Sequence, residues 1–322
     1  MFTPRINRFG RWRCTALSAF LVLLSACSTV PTLTSDVESR ALIDVPFVAQ
    51  QDFYCGPAAL SSIAAYRGIA SSQEDIARQS FIPGRKGSLT IEVQAAARRQ
   101  GLLPYPLKGG INALLDELAA GNPVMVLQNL GLSWWPKWHY AVATGYDLTE
   151  QVIYLHSGSR AHYSTTLGNF LATWQRADSW AIVPVDAEIR PASAEPLAYI
   201  QAAHAFEETG HSEQAMAYYT AAVETWPDSA LAHMAQANAA YNSGNVTLAV
   251  EAFAAALALK PSASLWNNYA YALQAAGCHD AAVAAISRAQ ALSADRAFAE
   301  SAAEIIALSV EAGSGPAPAS CP

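Results

Sequence analysis

The residues of this chain best suited to chemistry are a cysteine at the start of a helix and a histidine 84 positions later. Cys55 lies in the run Gln50-Gln51-Asp52-Phe53-Tyr54-Cys55-Gly56-Pro57-Ala58-Ala59-Leu60, ahead of an apolar helical pattern that continues through Ala65. Free amides in the first turn and the helix dipole lower a thiol pKa, which favours a thiolate nucleophile. Pro57 suits that first turn, where a missing N–H costs nothing, and Gly56 is expected to admit a substrate backbone. A side-chain amide just upstream can donate to an oxyanion formed beside the thiol, and Gln50 is the expected donor. Trp138-His139-Tyr140-Ala141-Val142-Ala143-Thr144-Gly145 places His139 on an alternating strand that ends in glycine, where it would serve as the distant base. The chemistry these three residues share is acyl transfer: thiolate attack, an oxyanion, a thioester, then hydrolysis. Trp134, Trp135 and Trp138 precede the histidine beside Pro136, either as one wall of a cleft or as packing.

The elements that must hold these groups can be read coarsely. Helices are expected from Cys55, over Ile91 to Arg99 and over Ile111 to Ala120. Strands are expected over Ile43 to Val48, Pro123 to Leu127, His139 to Tyr146, Val152 to His156 and Trp180 to Val185, from apolar alternation and β-branched content. Roughly 145 residues between positions 42 and 185 suffice for one core.

The Gln-Asp-x-x-Cys-Gly-Pro-Ala-Ala-Leu run and the His-Tyr-Ala-Val strand resemble the papain-like, bacteriocin-processing double-glycine leader peptidases, and more closely their free-standing relatives without a transporter. The resemblance covers residues 42–185. It implies an α+β papain-like cysteine peptidase domain in which Cys55 attacks an amide carbonyl, His139 moves the proton and a glutamine stabilises the oxyanion. The chain departs from that pattern twice. The family's glutamine lies six residues before the cysteine, a position occupied here by Ala49, while Gln50 and Gln51 are five and four before it. The family's imidazole-orienting Asp lies about sixteen residues past the histidine, where this chain has Leu155-His156-Ser157-Gly158. His156 and Ser157 accept a hydrogen bond less strongly than a carboxylate, and Asp147, in the expected hairpin turn, is a substitute candidate.

The second half repeats itself. Gly210, Ala215, Tyr219, Ala222 and Pro227 recur 34 residues on as Gly244, Ala249, Phe253, Ala256 and Pro261, and 33 further as Gly277, Ala282, Ile286, Ala289 and Ala294. This resembles the tetratricopeptide repeat, an all-α solenoid of helix pairs with small residues at the packing positions and a turn glycine. Such a solenoid implies a peptide or protein partner, a spacer or a dimerisation element.

Arg5, Arg8, Arg11 and Arg13 precede an apolar run from Ala16 to Leu24, the layout of a secretory signal. Leu24-Ser25-Ala26-Cys27 resembles the lipobox of bacterial lipoproteins, which implies cleavage before Cys27 and diacylglycerol on its thiol; Ser28 resembles sorting to the outer membrane, facing the periplasm. The expected organisation is therefore a signal peptide over 1–26, a tether over 27–41, the peptidase domain over 42–185, a linker over 186–197, the repeats over 198–312 and a disordered tail over 313–322. The mature chain would carry 15 basic against 26 acidic residues, so its hold on a membrane would come from acyl chains alone. In an exported chain the thiols left are Cys55, Cys278 and Cys321. A Cys278–Cys321 bridge and two free thiols are both open.

Composition excludes several classes. Charged residues are only 14% of the chain and hydrophobic ones 52%, which is no disordered composition, and a net charge of −7 leaves no basic footprint for nucleic acid. The apolar run is about half a membrane-spanning length. No Cys-x-x-Cys or His-Glu-x-x-His is present, His162, His204, His211 and His233 fall at no ligand spacing, and there is no phosphate-cradling glycine loop, so neither metal nor cofactor is expected. The function these readings support is a lipid-anchored cysteine peptidase with a repeat domain for partner or substrate. The alternatives are a catalytically weak or inactive peptide-binding adaptor, and an amidase or transferase using the same Cys–His dyad.

Overall fold

The computed structural model describes residues 33–312 and Cys321. The signal segment, the lipobox with Cys27 and most of the tail lie outside the described residues.

Seven strands form one antiparallel sheet: β1 (Arg40–Leu42), β2 (Leu103–Pro106), β3 (Val124–Asn129), β4 (Trp138–Asp147), β5 (Val152–Ser157), β6 (Arg160–Thr166) and β7 (Ala181–Val185). Their order is β2-β7-β3-β4-β5-β6, with β1 added on β4. Because side chains alternate along a strand, the sheet has two apolar faces. Met125, Tyr140, Val142 and Ile182 face α1 (Cys55–Tyr66), α2 (Gln73–Ser80) and α3 (Thr90–Arg99). Val124, Val126, Ala141, Ala143 and Val183 face α4 (Gly110–Ala119) and α5 (Leu167–Gln175). Helix α1 is buried from Gly56 through Ala64, so a run of small and apolar residues rather than an amphipathic stripe makes it the central helix.

β4 is the strand on which the site depends. β3 pairs with it from Trp138 to Ala143, and β1 takes over the same edge from Gly145 to Asp147. Gly145 is required there: a Cβ would stand 2.3 Å from the Ala41 carbonyl oxygen. The strand expected over Ile43 to Val48 lies earlier, at Arg40–Leu42, because Pro46 has no N–H to offer a ladder. Part of the expected tether over 27–41 belongs to the folded domain. Thr34 and Ser35 are already fastened to α4, through hydrogen bonds of 2.9–3.2 Å with Asn112.

Six further helices form three antiparallel pairs: α6 (Pro196–Glu207) with α7 (Ser212–Thr225), α8 (Ala230–Asn242) with α9 (Val246–Leu259), and α10 (Ala263–Ala275) with α11 (His279–Leu292); α12 (Arg296–Ala312) closes the stack. Gly210, Gly244 and Gly277 turn the three hairpins at φ +79°, +79° and +78°, a left-handed conformation that glycine adopts at least cost. Ala215, Ala249 and Ala282, and Ala222, Ala256 and Ala289, are fully buried, since only a methyl group fits where helices of a pair touch. Cys321 is bridged to Cys278, so the tail returns to the last repeat at that residue.

The expected linker is an ordered strap. Glu117, completely buried in α4, accepts from Ala192 N at 3.0 Å, Ser193 N at 2.8 Å, Ser193 Oγ at 2.6 Å and Asn122 Nδ2 at 2.8 Å. Tyr105 Oη donates to Ser193 O and accepts from Glu195 N. Beyond it, Tyr218 of α7 reaches into the sheet domain: its hydroxyl accepts from Leu103 N at 3.0 Å and lies 2.5 Å from Gly101 O and 3.0 Å from Val185 O. A single apolar cluster runs from the sheet through Tyr199, Phe206 and Tyr219 of the first repeat, so sheet and solenoid share a core.

Candidate active site

Cys55 opens α1 behind Tyr54, which supplies no side-chain cap, so the first-turn amides stay free for another acceptor. The backbone N–H groups of Tyr140, Gly56 and Cys55 itself are directed at the thiol and pull its pKa down, but burial outweighs them and pushes it above its ordinary value. The helix-terminus expectation of a ready thiolate is thereby corrected: desolvation of the charged form outweighs the backbone donors. Gly56 has a different use from the expected one. A Cβ there would stand 3.3 Å from the Tyr140 ring and 3.4 Å from Ser88, so its bareness lets β4 and the 88–90 segment close on the cysteine.

His139 stands at the opening of β4, one residue before the Tyr140 amide that serves the thiol. Its Nε2 is 2.8 Å from Ser157 Oγ, which leaves Nδ1 as the ring nitrogen available to a thiol. Desolvation first, then the positive charges of Lys137 and Arg160, lower its pKa to about 4. The imidazole is therefore neutral at physiological pH. Thiol and imidazole are both uncharged at rest and are not hydrogen-bonded to each other; a catalytic contact of this kind commonly forms only with substrate present.

Gln50 and Ser157 join Cys55 in lining one small crevice, together with Gly158 and Tyr140. Gln50 N donates to Gly158 O at 3.1 Å, which fixes the residue against the turn after β5. Its side-chain Oε1, an acceptor, is buried without a partner; an oxyanion would need the amide's other end, Nε2. Gln51 is directed elsewhere: its backbone N–H donates to Gln73 Oε1 and its side chain to Glu74. Ala49 offers no side-chain donor, and its carbonyl accepts from Gln73 Nε2.

Of the two orienter candidates, the structure brings Ser157 to the histidine and not Asp147. A register shift between Leu155 and Ser157 carries the hydroxyl there. Asp147 is at the other end of β4, where its carboxylate caps the turn through Thr149 N and Glu150 N at 3.0 Å and faces Arg40 at 3.9 Å; it cannot orient an imidazole eight residues up the strand. His156 is a core residue. Its Nδ1 accepts from His162 N, so its Nε2 carries the proton and donates to Val45 O at 2.8 Å. Trp134 and Trp135 are 77% and 73% exposed, so packing does not explain them, and they stand off the cleft.

A second, larger cavity of about 470 Å³ is also lined by Cys55 and is walled by Arg85, Lys86, Ser88, Leu89, Leu127 and Trp138. Sequence reading missed this wall; the Pro83-Gly84-Arg85-Lys86-Gly87 run marks a turn, but nothing local says that it docks beside Cys55. Phe53, two residues before the cysteine, has φ +67° and is half exposed, a strained conformation of the kind found at binding sites. Among the described residues no group of three metal-ligating side chains converges, and no helix is long and apolar enough to cross a membrane.

Residues 42–182 match the model of the family described as Peptidase_C39 like, and residues 200–264 and 235–297 match that of the tetratricopeptide repeat. The chain is a C39-peptidase-like domain followed by tetratricopeptide repeats. The C39-like domain is similar to a C39-like peptidase from Bacillus anthracis (18% identity, 46% of this chain and 98% of that one, TM-score 0.39). It is also similar to a double-glycine-motif protease from a transporter, solved with its leader peptide (19% identity, 45% and 93%, TM-score 0.37). The repeats are similar to the first such domain of Spaghetti (RPAP3) bound to an HSP90 peptide (17% identity, 38% and 93%, TM-score 0.33). A search of curated proteins gives no match.

Proposed function

We propose that this chain is a cysteine peptidase, held by a lipid on Cys27 at the periplasmic side of a bacterial outer membrane, whose repeats bind a protein partner or the substrate itself. The observation that carries the peptidase reading is the convergence on one crevice of Cys55, Gln50 and Ser157, whose hydroxyl holds His139. Each group has a step. Neutral His139 takes the thiol proton as Cys55 attacks a peptide carbonyl, and returns it to the departing amine. Gln50 and the free first-turn amide of Cys55 receive the oxyanion. Water then hydrolyses the thioester by the reverse proton path.

Turnover of a peptide library by the full chain, followed by mass spectrometry, tests this reading. Gln50→Ala is expected to lower kcat by about 10²–10³-fold with little change in KM, as loss of one oxyanion donor does elsewhere; an unchanged kcat would remove Gln50 from the mechanism. The second reading, a peptide-binding adaptor with little turnover, is favoured by one feature: the partner of His139 Nε2 is a hydroxyl, not a carboxylate. It predicts peptide binding without cleavage.

A further inference from the structure

The lining of the larger cavity beside the thiol carries a charge opposite to that of the chain. The chain has 26 acidic and 19 basic residues, yet Arg85 and Lys86 form one wall of the 470 Å³ cavity beside Cys55. Lys137 and Arg160 lie close enough to His139 to act on it electrostatically. The ion pairs among the described residues are Arg40–Asp147, Arg78–Asp75, His204–Glu207 and Arg296–Glu300, so none of these four cations is neutralised. Acidic groups of the helix next to the Cys55 loop are engaged elsewhere: Glu74 accepts from Gln51, and Asp75 from Ser72 and Arg78. Lys86 is held in place, with a left-handed backbone at φ +49° and its ammonium 5.4 Å above the Phe53 ring. The facing wall is apolar, made by Leu127, Leu89 and Trp138, and Ser88 Oγ is buried in the cavity lining with no partner.

We propose that this cavity selects an acidic peptide, seating a carboxylate side chain close to the scissile bond against Arg85 and Lys86 and an apolar side chain against Leu127 and Trp138. The proposal rests on Cys55 being the nucleophile of a peptidase. A guanidinium matches a carboxylate with two parallel hydrogen bonds, and a concave site of roughly 300–1,000 Å³ is the size that encloses a ligand instead of merely touching it. The unpaired cations near His139 add attraction over distance, which raises the encounter rate of an anionic chain and weakens with salt. A flat anionic surface fits worse, because it cannot enter the cavity to meet the apolar wall.

The test compares peptides identical except for Glu, Gln or Lys at each position flanking the cleaved bond, with the wild-type chain and with an Arg85→Glu/Lys86→Glu variant. Wild type is expected to favour the Glu peptide over the Gln peptide by about tenfold or more in kcat/KM, declining with added salt, as fits a charge-assisted contact. The charge-reversed variant is expected to favour the Lys peptide, a reversal that misfolding cannot produce. Equal rates on Glu and Gln peptides in wild type, or an acidic preference that survives the reversal, overturns the proposal. If no peptide is cut, the peptidase reading has failed separately; anisotropy of labelled Glu and Gln peptides on Cys55→Ala protein then reads the preference without turnover, and equal affinities overturn it there too. Sedimentation with phosphatidylglycerol vesicles that depends on Arg85 and Lys86, without any peptide preference, also overturns it in favour of a lipid surface.

Discussion

Cys55→Ala is expected to abolish peptide hydrolysis, and His139→Ala to lower it almost as far, by on the order of 10⁴–10⁶-fold each, because groups that act as one unit are lost as one unit. For the same reason the double variant is expected to be no worse than Cys55→Ala alone. The near-equality follows from the charge state of the resting pair. In a preformed ion pair the histidine would already hold the proton at rest; here it must take it during the attack. Here burial raises the Cys55 pKa while desolvation and two nearby cations hold that of His139 near 4, so the thiolate is scarce at neutral pH and every turnover needs the imidazole to remove the proton. Steady-state rates of the four proteins decide it. A His139→Ala protein within tenfold of wild type would mean that another base serves Cys55.

Glu117→Ala is expected to be the most destabilising single change among the contacts that hold the strap, by about 3–5 kcal/mol, since one buried carboxylate satisfies four donors and its loss strands them together. Two of those donors are the backbone amides of Ala192 and Ser193, which have no alternative acceptor once the side chain is gone. Because an apolar cluster crosses from the sheet to the first repeat, the wild-type chain is expected to lose sheet and helix in one urea transition, monitored by tryptophan fluorescence and circular dichroism. In Glu117→Ala the midpoint should fall and the two signals should separate. A variant that keeps the wild-type midpoint would show that the strap does not couple the two units.

The site was legible in the sequence to the extent that its information is local. A cysteine followed by Gly-Pro at a helix start, and a histidine on a strand ending in glycine, each follow from short-range pattern. The turn glycines 210, 244 and 277 did so through repetition. What was not legible depends on tertiary approach. Asp147 was a candidate because it lies in the hairpin after His139, but β4 continues for ten residues and takes it to the far end; Ser157 comes back to the histidine only through a bulge that no residue type announces. The thiol's pKa was misjudged because the helix dipole can be read from sequence whereas burial cannot. The cationic wall was missed since Arg85 and Lys86 sit in a turn thirty residues past the cysteine, and the strap because its anchor, Glu117, is a charged residue in a position where burial is rare.

The most direct measurement is the rate of Cys55 labelling by a small electrophilic thiol probe from pH 4 to pH 10, in the full chain and in His139→Ala. Two neutral partners acting together predict a rate that climbs with pH, with no thiolate plateau between pH 5 and 8. Above the histidine's pKa of about 4, the rate should be at least about tenfold faster with His139 than without it. Labelling indifferent to His139 at every pH would contradict the dyad and leave a peptide-binding module in place of an enzyme.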